Sequence, residues 1–441
     1  MDSVLRLLDW RGQQIDHAFL HSRAPKGYGA EHAVEEQVRD LIDDVRRRGV
    51  SALVEQAARF DGGAPDDIVV PHHLRREALS TLDSTVRRAI EESIDRVRRA
   101  SAAQIPPETL TEIADGATIL QRWRPVDRAG VYVPGGKAVY PSSVVMNVVA
   151  AQVAGVGSIA LCSPPQAAFG GSIHPTILAT AELLGVDELY AIGGAGAIAA
   201  LAWGVPEIGL DPVSVITGPG NQYVATAKRL VKGVVGIDSE AGPTEIVVIA
   251  DETADPEFVA ADLVSQAEHD EQAQSILITI DESLAREVIE RVGLRAHQTA
   301  HSARVNVSLS GEQSAVIIVS TLEDAIRVTD YLAPEHLEVM TTQPREVAAR
   351  VSHAGAVFLG PYTPVSAGDY LAGSNHVLPT SRQARFQAGL SASTFLRPQQ
   401  VVEYSREALR EIAPLIVSFA QAEHLPAHGQ AVEARFEREG E

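Results

Sequence analysis

Four short stretches of this chain bring imidazole, carboxylate and amide groups close together: "SQAEHD" at 265–270, "APEHLE" at 333–338, "SAGDYLAGSNHVLPT" at 366–380 and "AEHLPAH" at 422–428. In the first, Gln266 and His269 stand three apart, which on a helix puts both on one face. That face could be hydrated, as most polar helix faces are, or it could floor a metal site. Each of the other three has a plain structural reading. Glu335 and His336 follow a proline, where an acid in a helix's first turn is the ordinary expectation. Asp369 lies in a Gly-rich loop that suits a turn former. His428 sits near a helix N-cap, and His424 reads as a solvated residue. Together, however, the stretches supply imidazole, carboxylate and amide oxygen, a donor set suited to zinc or another borderline divalent ion. They are far apart in sequence, so only a fold can unite them.

The elements that would position them follow from the apolar pattern. Residues from about 32 to 60 and from 74 to 103 read as amphipathic helices, and "GATILQRWRPV" alternates as a strand. From Gly130 onward, short apolar runs such as "SIALCSPP" and "ELYAIGG" alternate with helical segments such as "PTILATAELLGV". A second series runs through "TEIVVIAD", the SQAEHD helix, "SILITI", a helix from about 282 to 293, "SAVIIVS", "LEDAIRVTDYL", "HLEVMT" and "AGAVFLG". This order predicts right-handed βαβ units on mostly parallel sheets. After Leu396 the chain is expected to be helical to its end, broken at "HLPAHG". Two Gly-rich turns at strand–helix junctions, "GGAGAIAA" and "TGPGN", could bring backbone amides to a nucleotide pyrophosphate. The acidic residue that usually follows such a fingerprint has no clear candidate, and tight packing is the alternative.

Composition narrows the function. The 441 residues are 45% hydrophobic and 22% charged, with a formal net charge of −21. That acidity argues against nucleic acid or an anionic membrane as the main partner. The lone Cys162 excludes an internal disulfide and a Cys-rich zinc site. No window approaches the roughly 20 apolar residues of a membrane span, and no signal-peptide core is present. A cytoplasmic protein is expected.

The four stretches, with "GVYVPGGKAVYPSSVVMNVVAAQVAGV", "ITGPGNQYVATAKRLV" and "AGPTEI", resemble the histidinol dehydrogenase family in its actinobacterial form, from about Val4 to Phe436. The resemblance implies an α/β fold of two incomplete Rossmann-like parallel-sheet domains, aldehyde-dehydrogenase-like, with an N-terminal helical segment and a C-terminal helical tail. The implied divisions are an arm at 1–29, a first α/β domain at 30–130 plus 244–390 with most zinc-site and acid–base residues, a second at 131–243 on the NAD side, and a tail at 391–441. It implies Glu335 and His336 as the acid–base pair and Gln266, His269, Asp369 and His428 as ligands of one Zn²⁺ per subunit. The implied substrate contacts are Thr244, Gln266, His269, His336, Asp369, Glu423 and His428; those to NAD are Tyr132, Gly196 and Asn221. Many members carry Gln where this chain has Gly196, so that contact is lost or made by backbone. Thr244 replaces a common Ser and keeps the hydroxyl. The family does not bind NAD through a pyrophosphate loop, which makes Gly194 a packing glycine.

The implied activity is oxidation of L-histidinol to L-histidine in two NAD-dependent steps through a retained aldehyde, the last steps of histidine biosynthesis. The implied assembly is a homodimer whose tails cross to complete each other's sites. Neutral His336 suits the base for alcohol oxidation, and Glu335 suits activation of the water that hydrates the aldehyde. Oxidation of another polar primary alcohol on the same fold is one alternative. A zinc hydrolase in which Glu335 activates water, and a metal-binding protein without catalysis, are two more.

Overall fold

The computed structural model describes residues 4–26, 34–61, 63–65, 67–135, 138–240 and 242–436. They fall into two units, one holding the chain up to Gln104 and Val126–Phe395, the other Ile105–Pro125 and the chain from Leu396 on.

The first unit contains two parallel sheets. The larger has six strands: β1 (Leu7–Asp9), β9 (Glu245–Ala250), β10 (Gln274–Thr279), β11 (Ala315–Ile318), β12 (His336–Met340) and β13 (Ala356–Leu359), in the order β1-β11-β10-β9-β12-β13. Strands β9 to β12 are buried along their whole length, as continuous apolar runs should be when helices cover both faces. One face packs on the helices Pro256–Ala267, Glu282–Gln298 and Ser302–Ser310, and the other on His17–Arg23 and Leu322–Leu332. The smaller sheet has five strands: β4 (Arg128–Tyr132), β5 (Ser158–Ser163), β6 (Glu188–Ala191), β7 (Val215–Thr217) and β8 (Gly236–Ile237), in the order β6-β5-β4-β7-β8. Its main cluster joins Tyr132, Cys162 and Ile216 to the helices Glu35–Arg48, Gly194–Trp203 and Gln222–Val231. The α/β expectation, with parallel sheets in both halves of the body, is borne out.

The second unit is an antiparallel sheet of β2 (Thr109–Ala114), β3 (Ala117–Pro125) and β14 (Leu396–Tyr404), ordered β14-β3-β2, followed by the helices Arg406–Ala422 and Pro426–Glu433. Within this unit most of β2 and β14 is exposed, and Leu415 and Phe419 are 68% and 71% accessible. Patches of that kind mark interaction surfaces.

Several local expectations are corrected. The segment after Leu396 is not helical at once: β14 pairs with β3 from Leu396↔Pro125 to Tyr404↔Ala117 before Ser405 caps the first tail helix. Neither face of β14 is buried, so it carries no apolar period to read. The single helix expected at 32–60, whose first two residues lie outside the described ones, is two helices, Glu35–Arg48 and Val50–Phe60. They break at Gly49, whose φ of +54° and ψ of −126° only glycine adopts readily. The helix expected at 74–103 is likewise two, His72–Thr81 and Ser84–Ala102, with Asp83 capping the second through Thr85 and Val86. The SQAEHD helix ends at Ala267, so His269 lies beyond it. Asp270 turns the chain there by accepting the Gln272 N–H.

Candidate active site

Two adjacent parallel strands set the site. Thr244 directly precedes β9, and Glu335 directly precedes β12, whose first residue, His336, pairs with Ile246. The proline before Glu335 therefore opens a strand and not a helix, which corrects the plain reading of "APEHLE". Residues at the N-terminal ends of two neighbouring strands are thus held side by side, at the sheet edge opposite the one where open α/β sheets commonly bind ligands. Helices reach this edge with their C-terminal ends: Gln266 lies in the last turn of Pro256–Ala267, and Asp369 in the last turn of the short helix Val365–Tyr370. Helix C-termini carry partial negative charge, a setting that favours cations.

Glu335 is 7% exposed, and its Oε2 accepts hydrogen bonds from the Thr244 hydroxyl at 2.5 Å and the Glu245 N–H at 2.9 Å. Burial lifts its pKa to about 7, the two hydrogen bonds opposing the rise. His336 is 4% exposed; its Nδ1 lies 3.0 Å from the Glu245 carbonyl oxygen and 3.5 Å from Glu335 Oε2. A protonated Nδ1 donating to that carbonyl leaves Nε2 as the basic nitrogen. Burial lowers the pKa of His336, while Asp369 and the Glu245 contact act the other way.

Gln266 donates through Nε2 to the Thr244 hydroxyl at 2.5 Å, so its Oε1 is the oxygen left for a ligand. His269 is exposed at its surface, yet the protein around it lowers its pKa, with His336 adding to the effect. Asp369 interacts with both His336 and Glu335, and burial raises its carboxyl to about 6. A carboxylate enclosed without a cation is the kind of group that a metal ion satisfies. Gln266 Oε1, a neutral imidazole and this carboxylate therefore fit a borderline divalent ion. They are an incomplete set: among the described residues no three His, Cys, Asp or Glu side chains form a ready-made metal cage. The remaining two expected residues belong to the second unit. Glu423 caps the C-terminus of Arg406–Ala422, His428 lies in Pro426–Glu433, and both side chains are exposed within that unit.

Of the residues expected to touch a nucleotide, Tyr132 is 3% exposed, and its phenol oxygen accepts the Gly194 N–H at 3.2 Å. Asn221 caps Gln222–Val231, its Oδ1 accepting from the N–H groups of Tyr223 and Val224, so its amide N–H₂ is the end that can meet a ligand. Gly196 is buried in Gly194–Trp203, where an added Cβ would come within 2.7 Å of Gln56 Oε1. Gly194 is not a packing glycine: a Cβ there would meet nothing within 4 Å, and its φ of +58° is the reason for glycine.

The sequence reading missed two residues that organise this centre. Glu245 receives the Ser381 N–H on Oε1 and the Glu335 N–H on Oε2, while its carbonyl faces His336. Its carboxyl is pushed up to about 8, by burial first and then by Glu335. The available signal was an acid opening the otherwise apolar strand "EIVVIA". His376 joins its Nδ1 to the Asp369 carbonyl at 3.0 Å and its Nε2 to the Ser143 hydroxyl at 3.1 Å, and burial lowers it to about 4.

The family model described as histidinol dehydrogenase matches residues 25–436. The chain belongs to the histidinol dehydrogenase family. It is 58% identical over 433 residues to a histidinol dehydrogenase of Leifsonia xyli, covering 98% of this chain and 99% of the relative. With one from Mycobacterium bovis the identity is 50%, over 99% of both chains. A crystal structure of histidinol dehydrogenase from Elizabethkingia anophelis superposes with a TM-score of 0.93 at 32% identity, covering 99% of each chain. The chain is accordingly an oxidoreductase of amino-acid biosynthesis. None of its described helices is long and apolar enough to cross a membrane.

The two raised carboxyls make stability depend on pH in a defined sense. Glu245 and Glu335 hold protons more tightly folded than unfolded, so stability is lost as pH rises from the ordinary 4.5 through about 7 and about 8. In metal-free protein, Glu245→Gln should flatten this fall by up to one proton, about 1.4 kcal/mol per pH unit. Denaturant unfolding between pH 5.5 and pH 8.5 measures it; identical slopes in the two proteins would contradict the arrangement.

Proposed function

We propose that this chain oxidises L-histidinol to L-histidine through enclosed L-histidinaldehyde, in two successive NAD-dependent steps with one zinc ion per site. The observation that carries this reading is the buried Glu335–His336 pair, held by Thr244 and Glu245 and faced by Gln266, His269 and Asp369. Gln266 through Oε1, His269 and Asp369, with His428 of a second copy, are the residues suited to hold the metal. When bound, zinc would supply a positioning charge for the substrate's imidazole and amine, and two NAD molecules in succession would each take up one hydride.

The remaining steps fall to the chain's own groups. His336 Nε2 accepts the hydroxyl proton as the alcohol is oxidised; a neutral imidazole at physiological pH is what its lowered pKa provides. Glu335 has both hydrogen bonds on Oε2, so Oε1 is free to take a proton from the water whose oxygen bonds to the aldehyde carbon. A carboxyl near 7 is part ionised at neutral pH and basic enough for that transfer, which an ordinary carboxylate performs poorly. His336 returns its first proton to the aldehyde oxygen as water adds, and, neutral again, takes the hydrate's proton in the second oxidation. Thr244 links Glu335 to Gln266, so the base and the metal side are set by one hydroxyl. Glu423 is suited to the substrate's ammonium or ring. Asn221 offers its amide to the nucleotide, while Tyr132 and Gly196 shape that side from within.

A homodimer with shared sites completes the proposal, and the exposed apolar face of the tail helices, with Leu415 and Phe419, supports a second copy as its cover. An acidic chain with no membrane-spanning helix among its described residues suits a cytoplasmic enzyme that binds neither nucleic acid nor membrane.

Two measurements test this. Purified protein given limiting L-histidinol and excess NAD should form two NADH per substrate, lose turnover after strong chelation and regain it with Zn²⁺. Full activity in demonstrably metal-free protein, or hydrolysis without NADH, would overturn it. Separately, an inactive His428→Ala chain refolded with an inactive His336→Ala chain should regain about a quarter of wild-type activity. About half the dimers are then hybrids, each with one intact site. Hybrids present by mass but as dead as their parents would mean that the tail serves its own body.

A further inference from the structure

A second pair of carboxyls lies beside the site, the buried Glu338 and the half-buried Asp262. Glu338 sits on β12, 1% exposed, and points into the apolar cluster formed by Val248, Leu263, Phe358 and Val365. Its Oε1 accepts the Val365 N–H at 2.9 Å. Its Oε2 has no donor among the described residues, and the Glu338 carboxyl interacts with that of Asp262 on Pro256–Ala267. Two carboxylates cannot share such a site fully ionised, so one keeps a proton and donates it to the other. Burial and the neighbouring acid hold Glu338 well above the usual carboxylate range, while burial brings Asp262 to about 6, eased by the Glu338 hydrogen bond and by Arg295. Glu338 is therefore the donor.

The spacing gives this junction its meaning. Glu338 is two residues from His336 on the same face of β12. Asp262 is four residues from Gln266, one turn earlier on the same helix face, and Val365 is four from Asp369. Three elements that bring groups to the site, β12, Pro256–Ala267 and Val365–Tyr370, thus also meet at Glu338 one structural repeat away. We infer that Glu338, hydrogen-bonded to Asp262 and to the Val365 N–H, is a positioning residue that fixes Gln266 and Asp369 relative to His336 and so sets the affinity of the zinc site. Replacing both members of such a buried pair with apolar residues of similar volume is often neutral or stabilising, whereas removing one partner alone is costly. An acid retained here serves geometry more than stability.

This inference rests on the zinc reading above, and the test separates the two. Zinc affinity of the full-length protein, measured by competition with a chromogenic chelator, is compared with unfolding of the metal-free protein in denaturant. The double variant Glu338→Met/Asp262→Leu should unfold near the wild-type midpoint, yet weaken zinc binding by about 10–100-fold, the usual effect of losing an outer partner of a metal ligand. Glu338→Gln keeps an oxygen for Val365 and an N–H for Asp262, and should bind zinc nearly as well as wild type. Should the double variant fail to fold, Asp262→Leu against Asp262→Asn makes the same comparison. Unchanged zinc affinity in the apolar variants, or amide variants as weak as the apolar ones, would overturn the inference. Failure of the wild-type protein itself to bind zinc would instead remove the reading on which it rests.

Discussion

The central constraint of this structure is the enclosure of one carboxyl, Glu335, where two neighbouring parallel strands begin. Enclosure raises its proton affinity; the Thr244 hydroxyl and the Glu245 N–H limit the rise by favouring the ionised form. The balance leaves the group near 7, where a carboxylate is both populated and basic. Everything close by follows from keeping that balance. Glu245 takes the Glu335 N–H and offers its carbonyl to His336, so a single residue orients both members of the pair. Thr244 passes the constraint on to Gln266.

The topology explains why this edge suits cations. Parallel strands alternate with helices, so strand N-terminal ends coincide with helix C-terminal ends, where carbonyl dipoles concentrate negative potential. Gln266 and Asp369 stand at two such ends. On the smaller sheet the helix N-terminal end at Gly194 meets Tyr132, and that of Gln222–Val231 is capped by Asn221. Opposite helix polarities thus set opposite local potentials in one unit, negative beside Gln266 and Asp369 and positive beside Gly194 and Asn221.

Much of this was legible in the sequence. The apolar runs of β9 to β12 and the alternation of strands with helices gave the α/β class, and the four polar stretches named the candidate groups. What stayed hidden had physical reasons. Strand β14 is exposed on both faces, so no periodicity marked it. His269 was placed on a helix because nothing in "SQAEHD" announces the end at Ala267; the turn is made by the Asp270 side chain. Glu245 and Glu338 sat in plain view as acids within buried strands, but their meaning depends on which strand and helix lie next to them, and sequence spacing does not carry that. Gly194 and Gly196 looked alike in a fingerprint, yet one is required by backbone conformation and the other by the side chain of Gln56.

The most direct test of the account is the protonation of Glu335 itself. The carboxyl carbon of Glu335, assigned by comparison with Glu335→Gln and followed by carbon-13 NMR through a pH titration of metal-free protein, should titrate with a midpoint near 7. A midpoint near the ordinary 4.5 would show that the group is a spectator carboxylate and would contradict the role given to it.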